Sequence, residues 1–189
     1  QDGVTVTREA FASRPDQVLV FHYTAEKEGK PALALTGRVR LNPGQPDTQV
    51  VAEAGGLSWD AVMPNELKHA CRVQVLHTGG DVQADGDCLV FAGCDSLTLL
   101  LAARTDYAPD YQANWRGQPP APVVAQDIAA AEAKPFEALR QAHLGDLATL
   151  LGRVRVVWGR SDAATLALPT GQRLAAFVEN RYPDFRRWP

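Results

Sequence analysis

VTVTREAFASRPDQVLVFHYT, residues Val4–Thr24, holds two alternating runs, Val4 to Arg8 and Gln17 to Thr24. Between them Ser13, Arg14, Pro15 and Asp16 form a polar connection. A period of two turns every second side chain to one face, and two such runs around turn residues mark a β-hairpin. The stretch therefore predicts antiparallel strands joined by a long loop.

Strand-like text continues from this hairpin to Tyr107. Ala32 to Leu41 and Thr48 to Ala54 flank Asn42-Pro43-Gly44, a turn in which Pro presets φ and Gly supplies the left-handed residue. Leu57 to Met63 is a weaker candidate. Lys68 to His77 sets Cys71, Val73 and Val75 against Ala70, Arg72 and Gln74, the mark of a strand with one buried face. Thr78-Gly79-Gly80 and Asp85-Gly86 turn the chain into Val82 to Ala84 and Cys88 to Phe91. Ser96 to Thr105 closes the series. Its Leu97, Leu99, Leu100 and Leu101 leave no polar face, so this strand is covered on both sides. Leu97, Leu99 and Leu101 are expected inside. Many short strands with Gly, Asp and Pro between them read as a mainly β chain folded as an antiparallel β-sandwich.

The composition shifts at Ala108 to Pro122, where Pro109, Gly117, Pro119, Pro120 and Pro122 crowd together. Such breakers predict a linker or extended arm. Beyond it the period becomes helical. Val124 to Ala133 is Ala-rich, and Pro135 suits the first turn of a second helix. There Phe136, Leu139, His143, Leu147, Leu150 and Leu151 form one stripe that Gly152 stops. Arg153 to Trp158 reads as a last strand, and Thr170 as the N-cap of a helix from Gly171 to Glu179. The expected organisation is a β-domain over residues 1–107, a Pro-rich arm over 108–123, and two or three helices over 124–189.

The 189 residues suffice for a packed core without metal or disulfide, and a 46% apolar, 22% charged composition is that of an ordinary globular chain. A net charge of −3 with interspersed signs gives no footprint for nucleic acid. The longest apolar run, Leu97 to Ala103, is too short to span a bilayer, and no membrane partner is expected. Gln1 in place of Met leaves the compartment unread. Cys71, Cys88 and Cys94 lack metal-ligand spacing; Cys71 reads as a small buried residue, and a Cys88–Cys94 bridge stays open. No cofactor is implied.

The phrase TREAFASRPDQVLV resembles the N-terminal β-domain of glycoside hydrolase family 95, the α-L-fucosidases. DSLTLLLAARTDY, Asp95 to Tyr107, resembles the final strand of that domain. His143, Asp146, Leu150, Arg153, Val154, then Leu168, Pro169, Thr170, Arg173 and Leu174 resemble its helical linker. The resemblance implies the later half of a supersandwich domain plus its linker. The opening half of that domain and the catalytic (α/α)6 barrel have no counterpart in the sequence. It further implies a parent that removes terminal α-L-fucosyl groups with inversion, and a family often secreted or periplasmic. Fucosylated glycans would be partners through the parent, and the barrel a partner of the domain. The tail from Val178 to Pro189 leaves the family pattern.

Candidate sites are few. Tyr107, Asp110, Tyr111 and Trp115 cluster in the arm with Asp106 and Asp127 nearby; aromatic faces stack on sugars and carboxylates accept hydroxyls, while the same aromatics also serve to pack a neighbouring domain. His143 and Asp146 stand at i, i+3 on one helix, expected as an orienting structural pair. His22 and His69 read as satisfied sheet residues. Asp16, Asp47, Asp81, Asp85 and Asp87 sit beside turns, and Trp59, Trp158 and Trp188 stand alone. The expectation is a scaffolding domain without turnover. Its rivals are a freestanding carbohydrate-binding sandwich and a small hydrolase with two facing carboxylates. Apolar surface left open predicts self-association.

Overall fold

The computed structural model describes residues 3–45, 47–53, 55–156 and 161–178. Two compact units divide the chain, residues 1–147 and 148–189.

Among the described residues the first unit is built from ten strands and two helices. In order they are β1 (Val4–Ser13), β2 (Val18–Lys27), β3 (Lys30–Pro31), β4 (Leu35–Arg40), β5 (Val51–Glu53), β6 (Gly56–Val62), β7 (Lys68–Thr78), β8 (Asp81–Asp85), β9 (Cys88–Cys94), β10 (Ser96–Thr105), α1 (Pro120–Glu132) and α2 (Phe136–Leu151), whose last turn belongs to the second unit. The large sheet has the order β1-β2-β10-β7-β6-β5, with β3 added on β2, and the small sheet has the order β4-β9-β8. The paired strands are antiparallel. The fold is a β-sandwich followed by helices, as the sequence pattern requires.

β10 lies centrally, between β2 and β7. Its alternate residues feed two cores. Leu100 and Ala102 join Val18, Val20 and Ala70 beneath Val124, Ile128 and Ala131 of α1 and Leu139 of α2. Leu97 joins Leu57, Val73, Val75, Leu89 and Cys94 between the sheets. The first unit thus has three layers, with the large sheet in the middle. Leu99 and Leu101 face the small sheet with Leu97 but are only half-buried. A three-stranded sheet cannot cover the six-strand path opposite it. Leu99, with Val6 and Tyr23, instead lines an open cleft of about 430 Å³ beside β4.

Several boundaries differ from the sequence reading. β1 runs on to Ser13, so the hairpin has a short turn at residues 14–17 rather than a long loop. Buried Asp16 closes it: Ser13 Oγ donates to one carboxylate oxygen at 2.5 Å and Lys134 Nζ to the other at 2.6 Å. α1 starts at Pro120, not Val124, with prolines in its first turn where no intrahelical N–H is needed. Leu139 is buried, while Leu147 of the expected stripe is exposed, as is Leu144. At the β7–β8 turn Gly80 has φ +57°, and a Cβ there would meet Ala92 O at 2.2 Å, so only glycine fits.

The cysteines are free and buried. Burial pushes the Cys71 thiol up to about 11, which makes it inert as a nucleophile. In the second unit, α3 (Ala163–Leu166) was not read from sequence; Asp162 caps it by accepting from Thr165 N–H at 2.7 Å. α4 (Thr170–Val178) starts on Thr170 itself, and Pro169 O accepts its first bonds. Residues 153–156 form no strand, and Val157 and Trp158 of the expected strand lie outside the described residues, as do Trp188, Glu179 and the tail from 179.

Because Leu100 is fully buried and Leu99 is not, Leu100→Ala should cost about 2–5 kcal/mol, and Leu99→Ala clearly less. Chemical denaturation of both variants checks the order. A Leu99→Ala loss equal to that of Leu100→Ala would mean the small sheet covers more than the geometry allows.

Candidate functional site

The predicted arm begins as a closed loop on the end of β10. Asp106 starts it and is buried. Its backbone N–H donates to Lys68 O at 3.0 Å, and its carboxylate accepts from Lys68 N–H at the same distance. Gly117 N–H returns to Asp106 O at 2.6 Å, and Tyr107 bridges to Arg116. Inside these ties, Trp115 N–H donates to Asp110 O at 2.8 Å. Asp110 Oδ1 accepts from the N–H groups of Gln112 and Ala113, an Asx-type turn. Arg116 Nη2 reaches Asn65 O at 2.7 Å and fastens the loop to the β6–β7 turn.

This closure gathers the aromatic residues that the sequence singled out. The Tyr107 and Trp115 rings are parallel within 2°, with centroids 6.2 Å apart, and Tyr111 meets Trp115 edge-on at 6.3 Å. Tyr107, Tyr111 and Trp115 are 57%, 79% and 43% exposed, far more than aromatics in a core. Trp115 has φ +60° and Asn114 φ +52°, a left-handed pair that costs free energy at a bulky residue. The nearby carboxylates serve the framework. Asp106 is internal to the turn, Asp110 caps it, and Asp127 on α1 binds Arg104 of β10 at 2.8 Å.

His143 and Asp146 lie elsewhere, on α2 against the first hairpin. Arg14 forks onto Asp146, with Nε at 2.9 Å and Nη2 on the other oxygen. That guanidinium holds the Asp146 carboxyl below the usual carboxylate range, against an opposing burial effect. The His143 ring stacks on Phe11 with centroids 4.8 Å apart. Each residue of the pair thus contacts β1 or its turn. Arg140 adds an ion pair to Glu9 at 2.9 Å. His22 sits under the same helix, its ring 3.8 Å from Phe136 and its Nδ1 2.8 Å from Thr98 Oγ1. Burial lowers its pKa, which Glu9 partly opposes.

Trp59, read from sequence as isolated, is joined to His69: its Nε1–H donates to His69 Nδ1 at 3.3 Å. Their shared face was available in the alternation of β6 and β7, but only the strand register, with Trp59 opposite Cys71 and Ala61 opposite His69, brings them together. Among the described residues no three His, Cys, Asp or Glu converge to hold a metal, and no helix is long and apolar enough to cross a membrane.

The fold and these features define a β-sandwich domain with an exposed aromatic loop. Residues 1–110 match the family described as glycosyl hydrolase family 65, N-terminal domain, and the chain belongs to that family. No curated protein matches it. A solved structure named "Putative kojibiose phosphorylase from human microbiome" is similar at 6% identity and TM-score 0.44, over 76% of this chain and 21% of that one. The chain thus spans about a fifth of that structure's length. The family matched is 65 and not the family 95 that the phrasing resembles; the match reaches a glycoside hydrolase N-terminal domain and stops short of α-L-fucosidase specificity.

The left-handed backbone at Trp115 gives the loop a signature. Trp115→Gly should be more stable than Trp115→Ala by about 1 kcal/mol, because both lose the ring but only glycine sheds the Cβ penalty. Thermal melts of the two variants measure the difference, and equal melting temperatures would mean the loop does not hold this conformation.

Proposed function

We propose that this chain acts as a non-catalytic β-domain of a larger glycoside hydrolase, supporting a catalytic domain rather than turning over substrate. The family match over residues 1–110 carries this reading. The described surface adds to it. Part of one large-sheet face lacks a cover, with Val6 and Leu19 exposed and Leu99 and Leu101 half-buried, and such a face suits packing against another domain. The aromatic loop suits the same role, as an interdomain contact or as one rim of a substrate site. The finer reading takes the parent to be an α-L-fucosidase, the activity that the sequence resemblance implies. Its support is the sequence phrasing and one spatial fact: the resemblance phrases SRPD and His143-x-x-Asp146 meet through Arg14 and Asp146.

A second reading, a freestanding carbohydrate-binding module, is favoured by the exposure of Tyr107, Tyr111 and Trp115. Sugar-binding modules present such rings to solvent, whereas interdomain contacts bury them. Protection of the three rings in a complex with a catalytic barrel would separate the two readings.

Alone, the chain should give no turnover of fucosyl-lactose or chromogenic α-L-fucosides, and light scattering should show self-association as concentration rises, through the uncovered sheet face. Hydrolysis above the blank that vanishes on replacing one carboxylate would overturn the non-catalytic reading. A monomer at high concentration that binds no apolar dye would overturn the uncovered interface.

A further inference from the structure

β5 pairs with β6 only between Val51–Glu53 and Gly56–Ser58. Past Ser58, β6 continues to Val62 with β7 alone as its partner, while the chain leading into β5 turns away. The divergence opens a cleft of about 740 Å³, lined among others by Gln45, Asp47, Gln49, Ser58, Trp59 and Asp60. That size lies within the range of small-molecule sites. We propose that this cleft binds a neutral hexose-type sugar, with the Trp59 ring as its stacking face and the Asp47 carboxylate as acceptor for hydroxyls.

The side chains lining the cleft are held by a defined chain of hydrogen bonds. The indole N–H is a donor only, so His69 Nδ1 must accept it. The imidazole proton then sits on Nε2, which donates to Gln45 Oε1 at 2.9 Å. Thr48 Oγ1 also donates to that oxygen at 3.3 Å. Two consequences follow. Trp59 has spent its polar atom inside the protein and offers the cleft only ring surface, which stacks on the apolar face of a pyranose. Gln45 has spent its oxygen and offers its amide nitrogen as a donor.

The opposite chemistry comes from Asp47. It is exposed and forms no ion pair among the described residues, so its oxygens remain acceptors for hydroxyl groups. Asp60 pairs with Ala70 and points to the α1 face of the sheet, opposite to Trp59. The outer edge of β6 beyond Ser58 adds backbone donors and acceptors. An aromatic face, fixed amide donor and carboxylate acceptor around a small volume match a polyhydroxylated neutral ring. The Asp47 charge disfavours an acidic sugar. A single exposed carboxylate is poorly suited to hydrolysis, because an inverting enzyme needs two and an acid among them in apolar surroundings. This site is separate from the Tyr107–Trp115 loop and stands whether or not that loop touches sugar.

The test is a titration of the ¹⁵N-labelled full chain with L-fucose, D-galactose, D-glucose and lactose, with D-glucuronate as the acidic control. Trp59→Phe assigns the indole N–H signal. The expected result is a saturable shift of that signal with at least one neutral sugar, and binding of glucuronate weaker by about tenfold or more. Asp47→Ala should weaken neutral-sugar binding by a similar factor while the rest of the spectrum stays in place. Trp115→Ala should leave it unchanged. No saturable shift at Trp59 with any neutral sugar overturns the proposal. So does tighter binding of glucuronate, a response confined to the 107–116 loop, or an Asp47→Ala variant that binds as the parent does.

Discussion

Strand β10 carries leucines on both faces, and that obliges the molecule to cover it twice. Leu100 and Ala102 need one cover, Leu97 another. The small sheet supplies the second and α1 the first, through Val124, Ile128 and Ala131. The remaining arrangement follows from bringing α1 into place. The loop after β10 must close on itself so that α1 can start at Pro120, close enough to lie back on the strand that precedes it. Arg104 of β10 holds Asp127 of α1 directly, and Lys134, just past that helix, reaches the buried Asp16 at the β1–β2 turn. The first hairpin is thereby tied to the helices at its tip as well as through its core residues.

The covers are unequal, and the inequality shapes what the domain can do. The helical side is filled around Val20 and Leu100, both fully buried. The small sheet spans only part of the opposite face and leaves apolar residues of β1, β2 and β10 accessible. Chemistry-bearing side chains lie at the margins instead: the aromatic loop beyond β10, and the Trp59 cleft where β5 parts from β6. Both adjoin the β6–β7 turn, since Arg116 fastens the loop to Asn65 and Pro64 lines the cleft. A sandwich with exposed aromatic and polar groups on its rim suits the proposed role as an accessory domain of a glycoside hydrolase.

Much of the fold was legible in the sequence because its signals are local. β10 was bounded at Ser96 and Thr105 by its apolar run, and β7 by alternation. The half-burial of Leu99 was not legible, because it depends on how many strands the facing sheet contains. Pro120 and Pro122 read as breakers, yet in a first turn they cost no hydrogen bond. At the candidate site the spacing of Tyr107, Tyr111 and Trp115 suggested a cluster, and the loop closes them into one. Asp110 looked available and is engaged by its own turn. Trp59 looked isolated because its partner His69 is ten residues away and meets it only across the β6–β7 register.

Native-state hydrogen exchange across residues 3–147 tests the two-sided burial of β10 most directly. The account predicts that amides of Leu97 to Ala102 and those of Val124 to Ala131 in α1 share the highest protection and exchange only on global unfolding. Rapid exchange in α1 while β10 stays protected would contradict it, for then the helix would be an ornament on a two-layer sandwich and not the cover that its central strand requires.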